Sequence, residues 1–297
     1  MTIFQGLSAF PLTPTDAEGR VQADDLRRLL TRLVDAEVHS IGLLGSTGTF
    51  AYLDRDQRRR AIEIAVAHVG GKVPILAGIG ALRTDDTVRF GQDAKAAGAD
   101  AVLVAPVSYL PLNDEDVFVH LETVAASVDL PLCIYNNPIT THFTFGPDLI
   151  GRLSRMPNVV AVKTPAPAAA AVADDLRALR AACRPGFAIG YSMDRNAGEA
   201  VLAGGEAWYS VIGGTFPRIA RRIVMAARAG DAAETRRLVA HLDPLWRLGA
   251  EVGSIRVMYA AANLLGLTDA QPPRPVLPLA EPVRRRVADL IASLGLE

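Results

Sequence analysis

The chain has 297 residues, half of them hydrophobic and 21% charged, with a formal net charge of −1. A chain of that size builds one large barrel with an appendage, or two domains, and its core needs no staple. The near-zero charge points to neither nucleic acid nor a membrane as partner, Cys133 and Cys183 frame no disulfide scaffold, and no leader or bilayer-spanning apolar run is visible, so the expected location is cytoplasmic.

In chain order, residues 3–12 read as a strand broken by Gly6 and closed by Pro11 and Pro14. Leu26, Leu29, Leu30, Leu33 and Val34 then recur at helical spacing. Residues 41–44 form a short apolar strand that runs into Gly45-Ser46-Thr47-Gly48-Thr49. Ile62, Ala65, Val66 and Val69 mark the next helix, and residues 73–77 a third strand ending at Gly78 and Gly80. Thr84 is the expected cap of a helix that Gly98 stops. Residues 101–104 are the fourth strand. Asn113, followed by Asp114, Glu115 and Asp116, is a strong helix start, because carboxylates favour the positive end of the helix dipole. Residues 132–135 are the fifth strand, ended by Asn136-Asn137-Pro138. A short helix around 148–153 leads to a sixth strand, which Pro165 and Pro167 are expected to stop at Lys163. An alanine-rich helix spans 168–182, and residues 188–190 and 208–211 are the last two strands, each followed by a helix.

Eight strands alternating with helical patterns over about 225 residues have the size and rhythm of a (β/α)8 TIM barrel, an α/β fold. A doubly wound sheet is the rival, but no GxGxxG follows the first strand. After residue 230 the strands stop. Residues 231–248, 254–265 and 282–294 read as helices, the last with an apolar stripe from Val283 to Leu294. The expected organisation is a barrel over residues 1–230 carrying the active site, with a helical region over 231–297 packed on it.

Active sites of such barrels sit at the C-terminal ends of the strands. The apolar sixth strand ends in Lys163, which with Lys72 and Lys95 makes up all the lysine of an arginine-rich chain. A lysine at a buried strand end is poorly solvated, which favours the neutral amine, and a neutral amine forms a Schiff base with a carbonyl. Arginine does not deprotonate and could not do so. The plainer alternative is a lysine snorkelling to solvent. Tyr135 ends the neighbouring strand, about 4.8 Å away at the backbone, and can carry a proton if a nearby cation lowers its pKa. Ser46, Thr47 and Gly48 lie in a turn able to aim N–H groups and hydroxyls at a substrate carboxylate, although an ordinary glycine turn looks the same. Tyr209 on the eighth strand is a further candidate for substrate contact. His39, His68, His120, His142 and His241 form no ligand pattern, so no metal is expected.

GSTG after the second strand, YNNP after the fifth and VK ending the sixth resemble the dihydrodipicolinate synthase/N-acetylneuraminate lyase family. The likeness runs through nearly the whole chain, helical C-terminus included. It implies that Lys163 forms the imine of a 2-oxo acid, usually pyruvate, that Tyr135 carries protons, and that Ser46 and Thr47 hold the carboxylate. It also implies no cofactor and a homotetramer built from tight homodimers. The chain departs from the family in places. Lysine-pathway synthases carry an arginine two residues after the YNxP proline, for the second substrate's carboxylate; here that residue is Thr140. A family tyrosine lent across the dimer interface falls at Ser108, with Tyr109 one place later. Thr49 stands where glutamate is usual, and Thr164-Pro165-Ala166-Pro167 replaces the usual Ser/Thr and Gly after the lysine. Thr140 and Thr141 offer hydroxyls where the synthase has a cation, which suits a neutral polyol chain.

The expected function is a Schiff-base lyase acting on a 2-oxo acid, by pyruvate-type aldol cleavage or condensation, or by dehydration of a 2-oxo-3-deoxy sugar acid. The alternative is 4-hydroxy-tetrahydrodipicolinate (dihydrodipicolinate) synthase of lysine biosynthesis, which Thr140 disfavours. An alternative of another class is a non-catalytic barrel that binds a 2-oxo acid, against which the presence of both Lys163 and Tyr135 argues.

Overall fold

The computed structural model describes residues 3–297. Eight parallel strands close into a barrel in sequence order: β1 (Gly6–Ala9), β2 (Ser40–Leu43), β3 (Ile75–Gly78), β4 (Ala101–Val104), β5 (Leu132–Tyr135), β6 (Val159–Pro165), β7 (Ala188–Ser192) and β8 (Ala207–Ser210). The helices that follow them are Ala23–Asp35, Arg55–Val69, Thr84–Ala96, Asp114–Ser127, Pro147–Ser154, Val172–Ala182, Asp194–Leu202 and Pro217–Arg228. A right-handed crossover between parallel strands requires such a helix on the outside of the sheet.

Register decides what the barrel encloses. Ser8 lies opposite Ser40 and Tyr209, Gly42 opposite Leu76, Leu103 opposite Cys133, Tyr135 opposite Lys163, and Lys163 opposite Gly190. Side chains alternate along a strand, so these residues share the inner face. Much of that face is Gly, Ala, Ser or Cys. Phe4, Phe10, Leu76, Leu103, Tyr135 and Tyr209 fill the space left over, in one buried cluster with Cys133 and Ala161. The opposite strand faces join the helices in a second, larger cluster.

Beyond Arg228 come the helices Ala232–His241, Asp243–Val252, Ser254–Leu264 and Glu281–Ser293. Leu238, Leu245, Met258, Tyr259 and Val287 belong to the outer cluster. Arg28 Nε donates to the Leu267 carbonyl at 3.1 Å, and Thr268 Oγ1 to Asp25 at 2.5 Å, which ties this region to the first barrel helix. Among the described residues, no helix is long and apolar enough to cross a membrane.

Four local expectations need correction. β6 does not stop at Lys163 but runs to Pro165, which pairs with Ser192. The residue before a proline is held extended, so Thr164 continues the strand. Residues 231–248 are two helices, because Pro244, lacking an N–H, opens a second helix at Asp243. Thr84 is the first helical residue and not its cap; its hydroxyl meets His120 Nδ1 at 3.0 Å. A short helix, Pro138–Thr141, was not foreseen after β5. Asn113 is the cap expected of it, with a capping box closed by Asp116.

His39 marks the closed end of the barrel. Its Nδ1 accepts the Leu7 N–H at 3.0 Å, and its ring fills the space beside Gly6, where a Cβ would lie 2.6 Å from ring atoms. Burial, helped by Arg221 and Arg228, pushes its pKa down to about 4 from 6.5. A protonated Nδ1 could no longer accept from Leu7. The folded state therefore binds fewer protons than the unfolded state between those two values, and stability falls as pH drops from about 6.5 to about 4. The span is worth about 2–3 kcal/mol for this half-buried ring. Urea unfolding at pH 7, 5 and 4 should show the loss, and His39→Gln should flatten that part of the profile.

Candidate active site

Lys163 comes from β6, and its burial is nearly complete at 3% exposure. Its Nζ lies 3.7 Å from the centroid of Phe10, 4.2 Å from that of Tyr135 and 5.8 Å from that of Tyr209. The amine thus stands in an aromatic enclosure rather than an ion pair. Thr164, the residue that follows it on β6, is held from both sides, its carbonyl accepting from Ser192 Oγ at 3.3 Å and its hydroxyl from the β5 side. Asn136, buried at the end of β5, donates from its amide to Thr164 Oγ1 at 3.0 Å and accepts the Phe145 N–H at 3.3 Å.

Tyr135 points the same way as Lys163, as adjacent strands in register demand. Its hydroxyl is 3.3 Å from Ser46 Oγ and accepts from Asn137 Nδ2 at 3.0 Å. Asn137 also donates to Thr140 Oγ1 at 2.7 Å. With the phenol oxygen held as an acceptor, its own O–H is free to turn toward Ser46 or toward a group bonded to Lys163. Ser46, Tyr135, Asn137 and Thr140 form one hydrogen-bonded group that reaches from the phenol beside Lys163 to the exposed Thr140. Asn137 is its hub, and sequence reasoning missed it: within YNNP it looked like a turn residue before a proline.

The turn after β2 is built under strain. Leu44 (φ 56°) and Thr49 (φ 52°) bracket Gly45–Gly48 in the left-handed region, which non-glycine residues seldom occupy. Of the five non-glycine residues with positive φ among the described residues, only Glu37 lies away from the C-terminal face; His142 follows β5 and Met193 follows β7. Strain is therefore concentrated where the candidate residues meet. Among the described residues, no acceptor takes the backbone N–H of Ser46, Thr47 or Gly48. Thr47 is buried beside them. Gly48 has no room for a Cβ, which would lie 2.9 Å from Thr13 Oγ1. An anion of carboxylate size is a chemically suitable guest for three free N–H groups and two hydroxyls.

The structure does not bring every candidate to this place. Tyr209 is a correction: it is 1% exposed, and its hydroxyl turns into the barrel, 3.6 Å from Cys133 Sγ. Burial raises its pKa well above the usual tyrosine value and that of Cys133 to about 12, so both stay neutral and fill space. Ser108 makes a local turn, accepting from the Leu110 N–H at 3.1 Å, and Tyr109 is 92% exposed on the same loop. Neither hydrogen-bonds to the Lys163–Tyr135 group within the chain. His142 is exposed.

Two buried groups complete the setting without having been foreseen. Asp194, after β7, accepts from Trp208 Nε1 and from the Val211 and Ile212 N–H groups at 2.8–3.2 Å, locking the end of β8. Burial raises its pKa, against those three donors. Phe10, just past β1, rests on Gly42 and Gly45, where a Cβ would lie 2.2 and 2.5 Å from its ring. No group of three metal-ligating side chains occurs among the described residues. A groove of about 370 Å³ opens between Asp194–Leu202 and the helices from Ala232 onward, but its arginines are paired there, Arg195 with Asp243 and Arg236 with Glu199. It offers no reactive centre to compare with Lys163.

The family model described as the dihydrodipicolinate synthetase family matches residues 3–294. A protein of Alcanivorax borkumensis named 4-hydroxy-tetrahydrodipicolinate synthase is 34% identical over 286 residues, 96% of each chain. The crystal structure of a dihydrodipicolinate synthase from Agrobacterium tumefaciens superposes with a TM-score of 0.96 at 52% identity, covering 98% of both chains. A chloride-inhibited dihydrodipicolinate synthase from Acinetobacter baumannii, solved with pyruvate, superposes at 0.89 with 26% identity, over 99% of this chain and all of the other.

The packing of Phe10 is directly testable. Gly42→Ala should lower stability by about 1–3 kcal/mol in urea unfolding, since the added methyl overlaps the ring. Combining it with Phe10→Leu should give a double variant more stable than the sum of the two losses predicts. Strict additivity would show that the ring is not the obstacle.

Proposed function

The chain belongs to the dihydrodipicolinate synthetase family of lyase-type enzymes, and we propose that Lys163 is its Schiff-base nucleophile and a 2-oxo acid, pyruvate first, its substrate. One observation carries the reading: a buried lysine amine with no carboxylate partner among the described residues, against the Tyr135 ring, whose hydroxyl lies 3.3 Å from Ser46 Oγ in a turn with free N–H groups. In the reaction, the amine adds to the keto carbon, and loss of water leaves an iminium. The iminium withdraws electrons from the adjacent carbon, which gives up a proton to form an enamine. The enamine carbon attacks an aldehyde, and hydrolysis of the new iminium frees the product and the lysine. Cleavage is the reverse. Tyr135, held by Asn137, moves the proton between nitrogen and oxygen atoms, while Ser46, Thr47 and Gly48 hold the carboxylate.

For the second partner, the names of the curated relatives favour condensation with aspartate semialdehyde, the synthase activity that sequence reasoning ranked second. We adopt it as the first reading. Thr140 supports a second one, a 2-oxo-3-deoxy sugar acid, because the hydrogen-bonded group around Tyr135 ends in Thr140 and includes no arginine. A missing partner for the second carboxylate should cost about 3–5 kcal/mol, or two to four decades in kcat/KM. The family habit of oligomers supports a homotetramer in solution, which would bring Tyr109 loops together.

Borohydride reduction with pyruvate, followed by peptide mapping, should label Lys163 alone; Lys72 is exposed, and Lys95 is paired with Asp129. No adduct with any 2-oxo acid would leave only the binding-protein alternative. Tyr135→Phe should still be labelled yet turn over about 10²–10⁴-fold more slowly; full activity would move the proton carrier elsewhere. Synthase kcat/KM above about 10⁴ M⁻¹s⁻¹ establishes the first reading. A value two decades lower, beside efficient sugar-acid turnover, establishes the second.

A further inference from the structure

The wall beside Lys163 on the β1 side is a benzyl group. Phe10 is 1% exposed, and its ring is the nearest of the three that surround Nζ, at 3.7 Å from the centroid. The ring has little freedom to leave. It meets Tyr209 edge to face at 6.1 Å, and it occupies the volume that Gly42 and Gly45 leave open. Tyr209 is held in turn against Gly190, where a Cβ would lie 2.4 Å from its ring. Only glycine at these three positions lets two aromatic rings stand under the amine.

This placement has consequences for any carbonyl compound bonded to Nζ. The imine carbon sits one bond from the nitrogen, so its substituents lie between the Phe10 ring and the open side, where Asn137 and Thr140 stand. An aldehyde-derived chain on the carbon next to the imine can leave toward Thr140, which is exposed. A second substituent on that carbon has no such exit and meets the ring. The ring also presents a negatively polarised face to the nitrogen, and an iminium is a cation. The buried carboxylate Asp194, whose charge Lys163 influences, is taken up by Trp208 and two backbone N–H groups.

Resting on the imine chemistry assigned to Lys163, we propose that Phe10 is a specificity-determining residue of this site: its ring excludes 2-oxo acids branched at the carbon next to the carbonyl, and its face stabilises the iminium of the unbranched ones. Pyruvate and 2-oxobutyrate meet the requirement, because the carbon next to the carbonyl carries no substituent in the first and a single methyl, which can point to the open side, in the second. 3-Methyl-2-oxobutyrate does not, because one of its two methyl groups must face the ring.

The test is borohydride reduction of the wild type, Phe10→Leu and Phe10→Ala with each of the three acids over a concentration series, read by intact mass. Circular dichroism and melting report folding. The wild type should form adducts with pyruvate and 2-oxobutyrate at least about 10-fold more readily than with the branched acid. Phe10→Ala should cut that preference about 10-fold. Phe10→Leu, which keeps the core better filled, should cut it several-fold, and should need about 2–10-fold more pyruvate for half-labelling, because it has lost the π face. If Phe10→Ala does not fold, Phe10→Leu alone decides. Equal trapping of branched and unbranched acids by the wild type overturns the proposal, as does an unchanged preference in the folded variants. No adduct with any acid in the wild type removes the imine reading itself and the Phe10 wall with it, an outcome distinct from adducts whose size preference ignores residue 10.

Discussion

A closed parallel barrel must fill its own interior with side chains from eight strands, and strict alternation allows each strand only two or three of them. In this chain most of those positions carry Gly, Ala, Ser or Cys, so a few long side chains supply the missing volume: Leu76, Leu103, Tyr135, Lys163 and Tyr209 from the strands, and Phe4 and Phe10 from either end of β1. The rest of the site depends on that exchange. Gly42 and Gly45 exist as glycine because the Phe10 ring lies over them, and Gly190 because Tyr209 does. The lysine amine is buried against aromatic faces because its neighbours on the inner face are Tyr135 and Gly190, and the space that glycine leaves is filled by the Tyr209 ring. A packing requirement of the barrel and the chemical environment of Lys163 are thus one arrangement.

Around that apolar interior the polar groups are sparse and closely specified. Asn136, Asn137 and Asp194 each bind two or more partners at the C-terminal ends of β5 and β7. Asn137 holds the Tyr135 phenol beside the amine, while Asn136 and Asp194 hold the strand ends around it. The backbone contributes as well, through the left-handed conformations of Leu44, Thr49, His142 and Met193. Each costs on the order of 1 kcal/mol, and such strain survives only where surrounding contacts outweigh it. The aromatic packing and the amide network supply those contacts at this end of the barrel. At the other end, His39 seals the interior with a neutral ring.

Much of the fold was legible from local pattern. Strand and helix alternation, the cap at Asn113, and the glycine turn, Tyr135 and Lys163 each at the end of its own strand all rest on patterns within a few residues. The misreadings share a cause. Proline lacks a donor, so Pro165 reads as a stop, but whether a donor is needed depends on the neighbouring strand, which residue 165 cannot reveal. The break before Asp243 follows from Pro244, which the apolar periodicity of residues 231–248 outweighed. Tyr209 was judged by its residue type, and its direction depends on Cys133, 76 residues away.

By itself, then, the sequence determined the barrel, the helical C-terminus, and the pairing of a lysine with a tyrosine on adjacent strands, because periodicity, caps and strand order are properties of short segments. Tertiary structure decided what surrounds that lysine. That Phe10 lies against Nζ, that Gly42 and Gly190 yield their space, and that Asn137 orients the phenol are consequences of closing the sheet. Closure sets residues from β1, β2, β5, β6 and β8 around one point. No local pattern carries that information, because the contacts join residues brought together only by the register of the whole barrel.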